Sequence, residues 1–266
     1  MAEIAVRNIR FGFEHALDLD RPAPQLARMV GPLALSMTMP YLEPYLIRTM
    51  KVALKRISDP GLCEDVRRFS RQEGHHFRNH ATLNDLVRGH FDAPVADRLS
   101  AIEADLESDY QRFSRSESLR FNVAYAEGFE AMTCAVALAA AEHGAFEDET
   151  MMPGGEIWAW HMAEEIEHRT VAFDVFAHLD GSYLYRVVFG TWSQRHFIRY
   201  IGRFARCLAD GLGCPLERSF SPMQRTALKR YLRTFSPWYD PAKIEVPQGV
   251  QGLLDRFSAL ARSGAS

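Results

Sequence analysis

Apolar residues recur at three- and four-residue steps along almost the whole chain, the spacing of one helix face. Leu99, Ile102, Leu106 and Tyr110 mark such a face in the charged stretch from residue 95 to about 113. No period-two alternation is long enough to predict a strand, and the chain has no repeat or low-complexity tract. Breakers and caps divide the pattern. Pro22 and Pro24 are expected to break any helix in residues 1–39 and leave an N-terminal lead-in. Pro40 and Pro44 mark the start of a first long helix running to about residue 56. Asp59-Pro60 supplies a cap and an N1 proline for a second, ending near residue 88. After a break at Gly89-His-Phe-Asp-Ala-Pro94, the helix over 95–113 is read as a crossover. Ser116 or Ser118 opens a third long helix, alanine-rich, which continues through Ala141. Met152-Pro-Gly-Gly155 turns into a fourth, which Asp180-Gly-Ser182 ends. Further helices follow over 183–211, after the Ser221-Pro222 cap with Leu228, Tyr231 and Leu232 inward, and over 248–262. A structured loop lies at 235–241. The fold class predicted is all-α: one domain over 1–266, a ferritin-like four-helix bundle at about 40–180, and additional terminal helices.

Polar residues on apolar faces change the picture. His161, Glu165 and His168 lie four and three residues apart on the fourth helix and therefore share a stripe. Three such groups on an apolar face need a partner, and a metal ion is the simplest one. The second helix repeats the signal with Glu73 and His76, and His80 one turn on. Two Glu-x-x-His helices, each preceded by a helix with an inward Glu, are the ligand plan of ferritin-like dimetal carboxylate bundles. Glu43 lies 30 residues before Glu73, and Glu130 lies 35 before Glu165, as antiparallel long helices require. The predicted metal ligands are Glu43, Glu73, His76, Glu130, His161, Glu165 and His168. Glu127 competes with Glu130. His80 is read as a supporting or cavity residue and as an alternative ligand. Glu164 and Glu167 are read as a solvated face, His75 as exposed, and Tyr125, Trp158 and Trp160 as core.

Composition adds bounds. With 266 residues, 47% of them hydrophobic and 24% charged, the chain can bury one sizeable core. A net charge of −3 and the lack of a basic run argue against nucleic acid as a partner. Cys63, Cys134, Cys207 and Cys214 have no Cys-x-x-Cys spacing and are expected to be reduced thiols, Cys134 buried, in a cytoplasmic protein. No apolar signal core and no transmembrane segment is predicted; residues 183–208 come closest but carry five arginines.

The segment Trp160-His-Met-Ala-Glu-Glu-Ile-Glu-His-Arg-Thr-Val-Ala-Phe-Asp174 resembles the signature of a bacterial family called predicted metal-dependent hydrolases, ferritin-like dimetal proteins. Gln72-Glu-Gly-His-His-Phe-Arg-Asn-His80, Glu130-Ala-Met-Thr133 and Tyr231-Leu-Arg-Thr-Phe-Ser-Pro-Trp238 are similar to other parts of it. The likeness runs from about residue 35 to 242. Met39-Pro-Tyr-Leu-Glu-Pro44 departs from it, lacking the usual glycine before Glu43, and Ser236 stands where a histidine is expected. The spacing His161-x3-Glu165-x2-His168 also resembles the ligand helix of p-aminobenzoate N-oxygenases, which implies His161 as an added ligand.

Carboxylates with imidazoles and no thiolate suit iron, or manganese, better than copper or structural zinc. Two metal ions, chiefly Fe, are the expected cofactor. The first reading is a di-iron oxidase or oxygenase with O2 as co-substrate, a small-molecule substrate and an electron donor. The second is a metal-dependent hydrolase working through a metal-bridging hydroxide. The third is a non-catalytic metal-binding protein. A homodimer is compatible with all three.

Overall fold

A computed structural model describes residues 4–13, 17–146, 154–217 and 220–264. Among them there is no strand, and the fold is all-α. The helices are α1 Ala23–Ser36, α2 Met39–Ala53, α3 Pro60–Gly89, α4 Ala93–Ser116, α5 Leu119–Glu142, α6 Glu156–Glu167, α7 Val171–Leu179, α8 Tyr183–Leu212, α9 Pro222–Arg233 and α10 Val250–Ser263.

Side-chain caps account for three of the α-helix starts. Asp59 accepts from Leu62 N to cap α3, and Ser118 accepts from Phe121 N to cap α5. Ser221 and Gln224 close a capping box on α9. Met152 and Pro153 of the predicted turn lie outside the described residues. Gly154 and Gly155 follow with φ of 88° and 58°, a backbone that favours glycine, and lead the chain into α6.

Three expectations are corrected. Residues 23–36 form α1 rather than an irregular lead-in, because Pro22 and Pro24 fall at its cap and first turn, where a missing N–H costs nothing. The predicted fourth helix is two, α6 and α7, separated at His168–Thr170. No Gly or Pro causes this break. It falls where His168 ends α6 with φ −95° and ψ 11° and its ring is held from both sides. Leu228 and Leu232 face outward, 43% and 54% exposed, and only Tyr231 of that trio is buried, against Ala131 and Ala135 of α5.

Four helical rods carry the predicted ligands, as a ferritin-like plan requires. α2 packs on α3, α5 packs on α6 and α7, and the pairs meet through α2 with α5 and α3 with α7. α4 crosses against α2 and α8, α8 lies along α5 and α1, α9 covers α5, and α10 covers α6. α5 is the central rod. It is long and apolar enough to cross a membrane, but 83% of its apolar window is buried inside the protein.

Small residues bring α8 onto α5. A Cβ on Gly128 would stand 2.4 Å from the Gly190 Cα. Gln194 Nε2 also donates to the Gly128 carbonyl at 2.6 Å, so the helices cannot simply slide apart. Gly128→Ala is expected to destabilise the fold by about 3 kcal/mol, the upper end of ordinary overpacking. Denaturant unfolding checks this, and a change below about 0.5 kcal/mol, the level of an unremarkable surface substitution, contradicts it.

Candidate metal centre

The seven predicted ligands converge between the four rods. Glu43 comes from α2, Glu73 and His76 from α3, Glu130 from α5, His161 and Glu165 from α6, and His168 from its end; all are buried. Their donor atoms form two groups, Glu43/His76/His161 and Glu73/Glu130/Glu165/His168, each within 4.8 Å. Glu165 spans both. Its Oε1 lies 2.9 Å from His161 Nε2 and 3.9 Å from His76 Nδ1, and its Oε2 lies 3.4 Å from His168 Nε2. Glu73 spans them in the same way, Oε2 at 3.8 Å from His76 Nδ1 and Oε1 at 3.5 Å from His168 Nε2. Glu43 sits at one end, 3.6 Å from His161 Nε2, and Glu130 at the other, 3.2 Å from His168 Nε2. Glu127 is not in either group; it pairs with Arg186 at 3.0 Å and ties α5 to α8. His80 also lies outside both groups, with Nε2 2.8 Å from His161 Nδ1.

The outer hydrogen bonds fix which histidine nitrogens face the centre. His76 Nε2 donates to Glu164 Oε2 at 2.9 Å, and Glu164, ion-paired to Arg7 at 2.9 Å, is an acceptor. His168 Nδ1 donates to Gln72 Oε1 at 2.9 Å. The Gln72 amide nitrogen is committed to the Ala5 carbonyl and to Glu167, which leaves Oε1 to accept. His161 Nδ1 lies 2.8 Å from His80 Nε2. With its outer nitrogen donating, each ring when neutral turns a lone pair inward, as a metal ligand must. Three inner ring nitrogens and four carboxylates meet there; His161 Nε2 lies 2.9 Å from Glu165 Oε1 and His168 Nε2 lies 3.2 Å from Glu130 Oε2, contacts that a proton bridges when no ion is bound. Glu43 Oε1 and Oε2, Glu73 Oε1, Glu130 Oε1, Glu165 Oε2 and His76 Nδ1 are buried without a hydrogen-bond partner. Acceptors so crowded are stable only around positive charge. Two divalent ions fit this donor set, and the seven residues named would hold them.

Without ions, protons stand in. Burial, with Glu73 and Glu165 nearby, pushes Glu43 well above the usual carboxylate range. Burial and Glu165 push Glu73 and Glu130 up to about 8. Burial opposes charge on His168, but Glu165 and Glu130 overcome it and hold its pKa well above the ordinary value. Loading metal at pH 7 is thus expected to release protons, fewer as pH rises through 8, which calorimetry in buffers of different ionisation enthalpy reads directly. The metal-free fold holds these carboxyl protons more tightly than the unfolded chain does. That stability is complete below about 4.5 and is lost as pH rises through about 8. His80 and His161, whose pKa values burial lowers, pull the other way only below their ordinary 6.5. Between pH 7 and 9 the metal-free protein should therefore lose stability while the loaded protein does not; a rise in the metal-free protein contradicts this.

Glu164 and Glu167 correct the expectation of a solvated face. Glu164 is fully buried and Glu167 nearly so. Arg7 reaches both from the N-terminal segment, Nη1 at 2.9 Å from Glu164 and 2.8 Å from Glu167. Sequence reasoning missed Arg7, Gln72 and Glu164 as supports of the centre. A polar residue beside each ligand motif was the available signal for Gln72 and Glu164, and nothing local marked Arg7. Aromatic rings close the site: Phe69 lies edge-on to His168 and Trp160 edge-on to His76, both at 4.8 Å between centroids. The four cysteines are free thiols, and none is in either donor group.

The model of a family described as "predicted metal-dependent hydrolase" matches residues 5–245. The chain belongs to that family. The match takes in Arg7 as well as every ligand candidate, so the family's span includes the support as well as the centre. No curated protein and no solved structure matches the chain. The likeness to p-aminobenzoate N-oxygenases rests on ligand spacing alone.

Proposed function

We propose that this family member is a dimetal carboxylate enzyme, a di-iron oxidase or oxygenase that uses O2 on a small organic substrate. The observation that carries the reading is the donor set itself: three inward imidazole nitrogens and four carboxylates, all buried, with six of their donor atoms lacking any hydrogen-bond partner. Four carboxylates balance two divalent ions, and oxygen with imidazole donors suits iron or manganese. When bound, such ions supply redox chemistry with O2 that no side chain here offers. Glu73 and Glu165 would keep the two positions close, Glu43 and Glu130 would close the ends, and the histidines would hold fixed orientations through their outer hydrogen bonds. Phe69 and Trp160 pack edge-on against the His168 and His76 rings and give that side an apolar wall, which suits the oxidative reading. An oxygenase of this kind needs an external electron donor as partner.

The family's name supports a second reading, metal-dependent hydrolysis, in which the same ions would lower the pKa of water. One experiment separates them. Protein loaded with Fe(II) under argon and then exposed to air is expected to consume O2 and gain near-ultraviolet and visible absorbance. It should not cleave chromogenic esters or phosphoesters under argon. Ester or phosphoester turnover without O2 uptake transfers the assignment to hydrolysis.

A further inference from the structure

The three inward histidines are not supported alike. The outer partners of His76 and His168 lead to charge: Glu164 with Arg7, and Gln72 with Glu167 and Arg7. His161 is backed by a neutral row. His161 Nδ1 and His80 Nε2 are 2.8 Å apart, His80 Nδ1 and Ser36 Oγ 2.8 Å, and Ser36 Oγ and Asn84 Oδ1 2.6 Å. The row joins α1, α3 and α6, and Ser36, His80 and Asn84 are at most 1% exposed.

We propose that Asn84, Ser36 and His80 are positioning residues that fix the tautomer of His161 and so set the affinity of one of the two metal positions. This rests on the dimetal reading and deepens it.

One backbone carbonyl determines every direction in the row. The Ser36 carbonyl can only accept, so the Asn84 Nδ2 amide donates to it, at 2.9 Å. That turns Asn84 Oδ1 toward the Ser36 hydroxyl as an acceptor, and the hydroxyl must donate. The hydroxyl oxygen is then left to accept from His80 Nδ1–H. A neutral His80 with its proton on Nδ1 has a lone pair on Nε2, which accepts from His161 Nδ1–H. His161 Nε2 is thereby stripped of its proton and faces Glu165 Oε1 at 2.9 Å and Glu43 Oε1 at 3.6 Å, all three of them acceptors. Reversing the row would move the His161 proton to Nε2, where an N–H would occupy the place a cation needs. Nothing else hydrogen-bonded to His161 Nδ1 fixes that choice, so the tautomer depends on groups two and three links away.

The inequality has a direction. The position at Glu43, His76 and His161 depends on the neutral row. The one at Glu130 and His168 does not touch it. Cutting the row should weaken one ion and spare the other, by about the 10–100-fold that loss of an outer-shell partner costs.

The test uses the full chain, stripped of metal and titrated with Co(II), with binding read optically and by calorimetry. Wild type is expected to take up two ions. Ser36→Ala removes one buried oxygen and should keep one ion at wild-type affinity while weakening the other about 10–100-fold. Ser36→Thr, which keeps the hydroxyl, should restore it. His80→Phe keeps a ring, removes both nitrogens and should give the same loss of one ion. Nitrogen-15 NMR of labelled histidine in the Zn(II)-loaded protein supplies a readout that packing alone would not move. His161 is expected to be protonated on Nδ1 in wild type, and this signature should be lost in Ser36→Ala. Two ions bound with unchanged affinities in both Ser36→Ala and His80→Phe overturn this inference and leave the dimetal reading intact. Wild type that binds no Co(II) overturns both.

Discussion

Glu165→Ala is expected to empty both metal positions rather than one. Its Oε1 faces His161 and His76 and its Oε2 faces His168, so a single truncation removes a donor from each side. The ions would also lose the shared carboxylate that offsets their mutual repulsion at the 3.5–4 Å typical of paired sites, about which every other ligand is arranged. Affinity for both should fall by more than the roughly 100-fold that loss of an outer partner produces. Glu43→Ala and Glu130→Ala, at opposite ends, should each cost mainly one ion. Equilibrium dialysis followed by elemental analysis distinguishes the patterns. Glu165→Ala protein that retains two ions shows that Glu165 does not span the centre.

Arg7→Met is expected to be the most destabilising single substitution away from the ligands. Arg7 meets Glu164 and Glu167 through three contacts of 2.8–2.9 Å. It also donates to Ser258 Oγ at 2.9 Å and to the Leu254 carbonyl at 3.2 Å, fastening α10 to α6. Methionine fills much of the volume but leaves two buried carboxylates unpaired. Breaking a buried pair from one side costs about 3–5 kcal/mol. The sign of a compensating change follows: Arg7→Met with Glu164→Gln and Glu167→Gln should be more stable than Arg7→Met alone, because no charge is then stranded. Metal affinity should fall as well, since Glu164, no longer held by Arg7, would orient the His76 ring less firmly. Denaturant unfolding of the metal-free protein checks the first point. A loss below about 1 kcal/mol, the worth of an exposed pair, contradicts it.

The gathering of these seven residues was legible because its grammar is local. Glu-x-x-His puts two donors on one helix face, and a pair of such motifs with a lone Glu upstream of each leaves few alternatives. The starts of α3, α5 and α9 were legible for the same reason, through Asp59, Ser118 and the Ser221 box. Elsewhere local rules misled. Pro22 and Pro24 looked like breakers and are starters, a matter of one turn's offset. The break at His168 has no breaker residue, so it comes from tertiary demand on the ring. Glu164 and Glu167 flank Glu165 as an ordinary charged face would. Their burial depends on Arg7, more than 150 positions away, whose arrival no periodicity announces. The sequence pattern turns Leu228 and Leu232 inward with Tyr231, yet of the three only Tyr231 is buried against the small residues of α5. The row behind His161 is half visible in the sequence: the spacing marks His80 as a support, but Ser36 and Asn84 acquire meaning only where α1 lies beside α3.

The most direct test of the account is the metal content of the pure protein produced aerobically with iron supplied. The proposed function predicts two ions per chain, iron with manganese as its substitute, and the two donor groups predict loss of most of that metal in both Glu73→Ala and Glu165→Ala. One tightly held zinc per chain, or full metal retention in both variants, would contradict it.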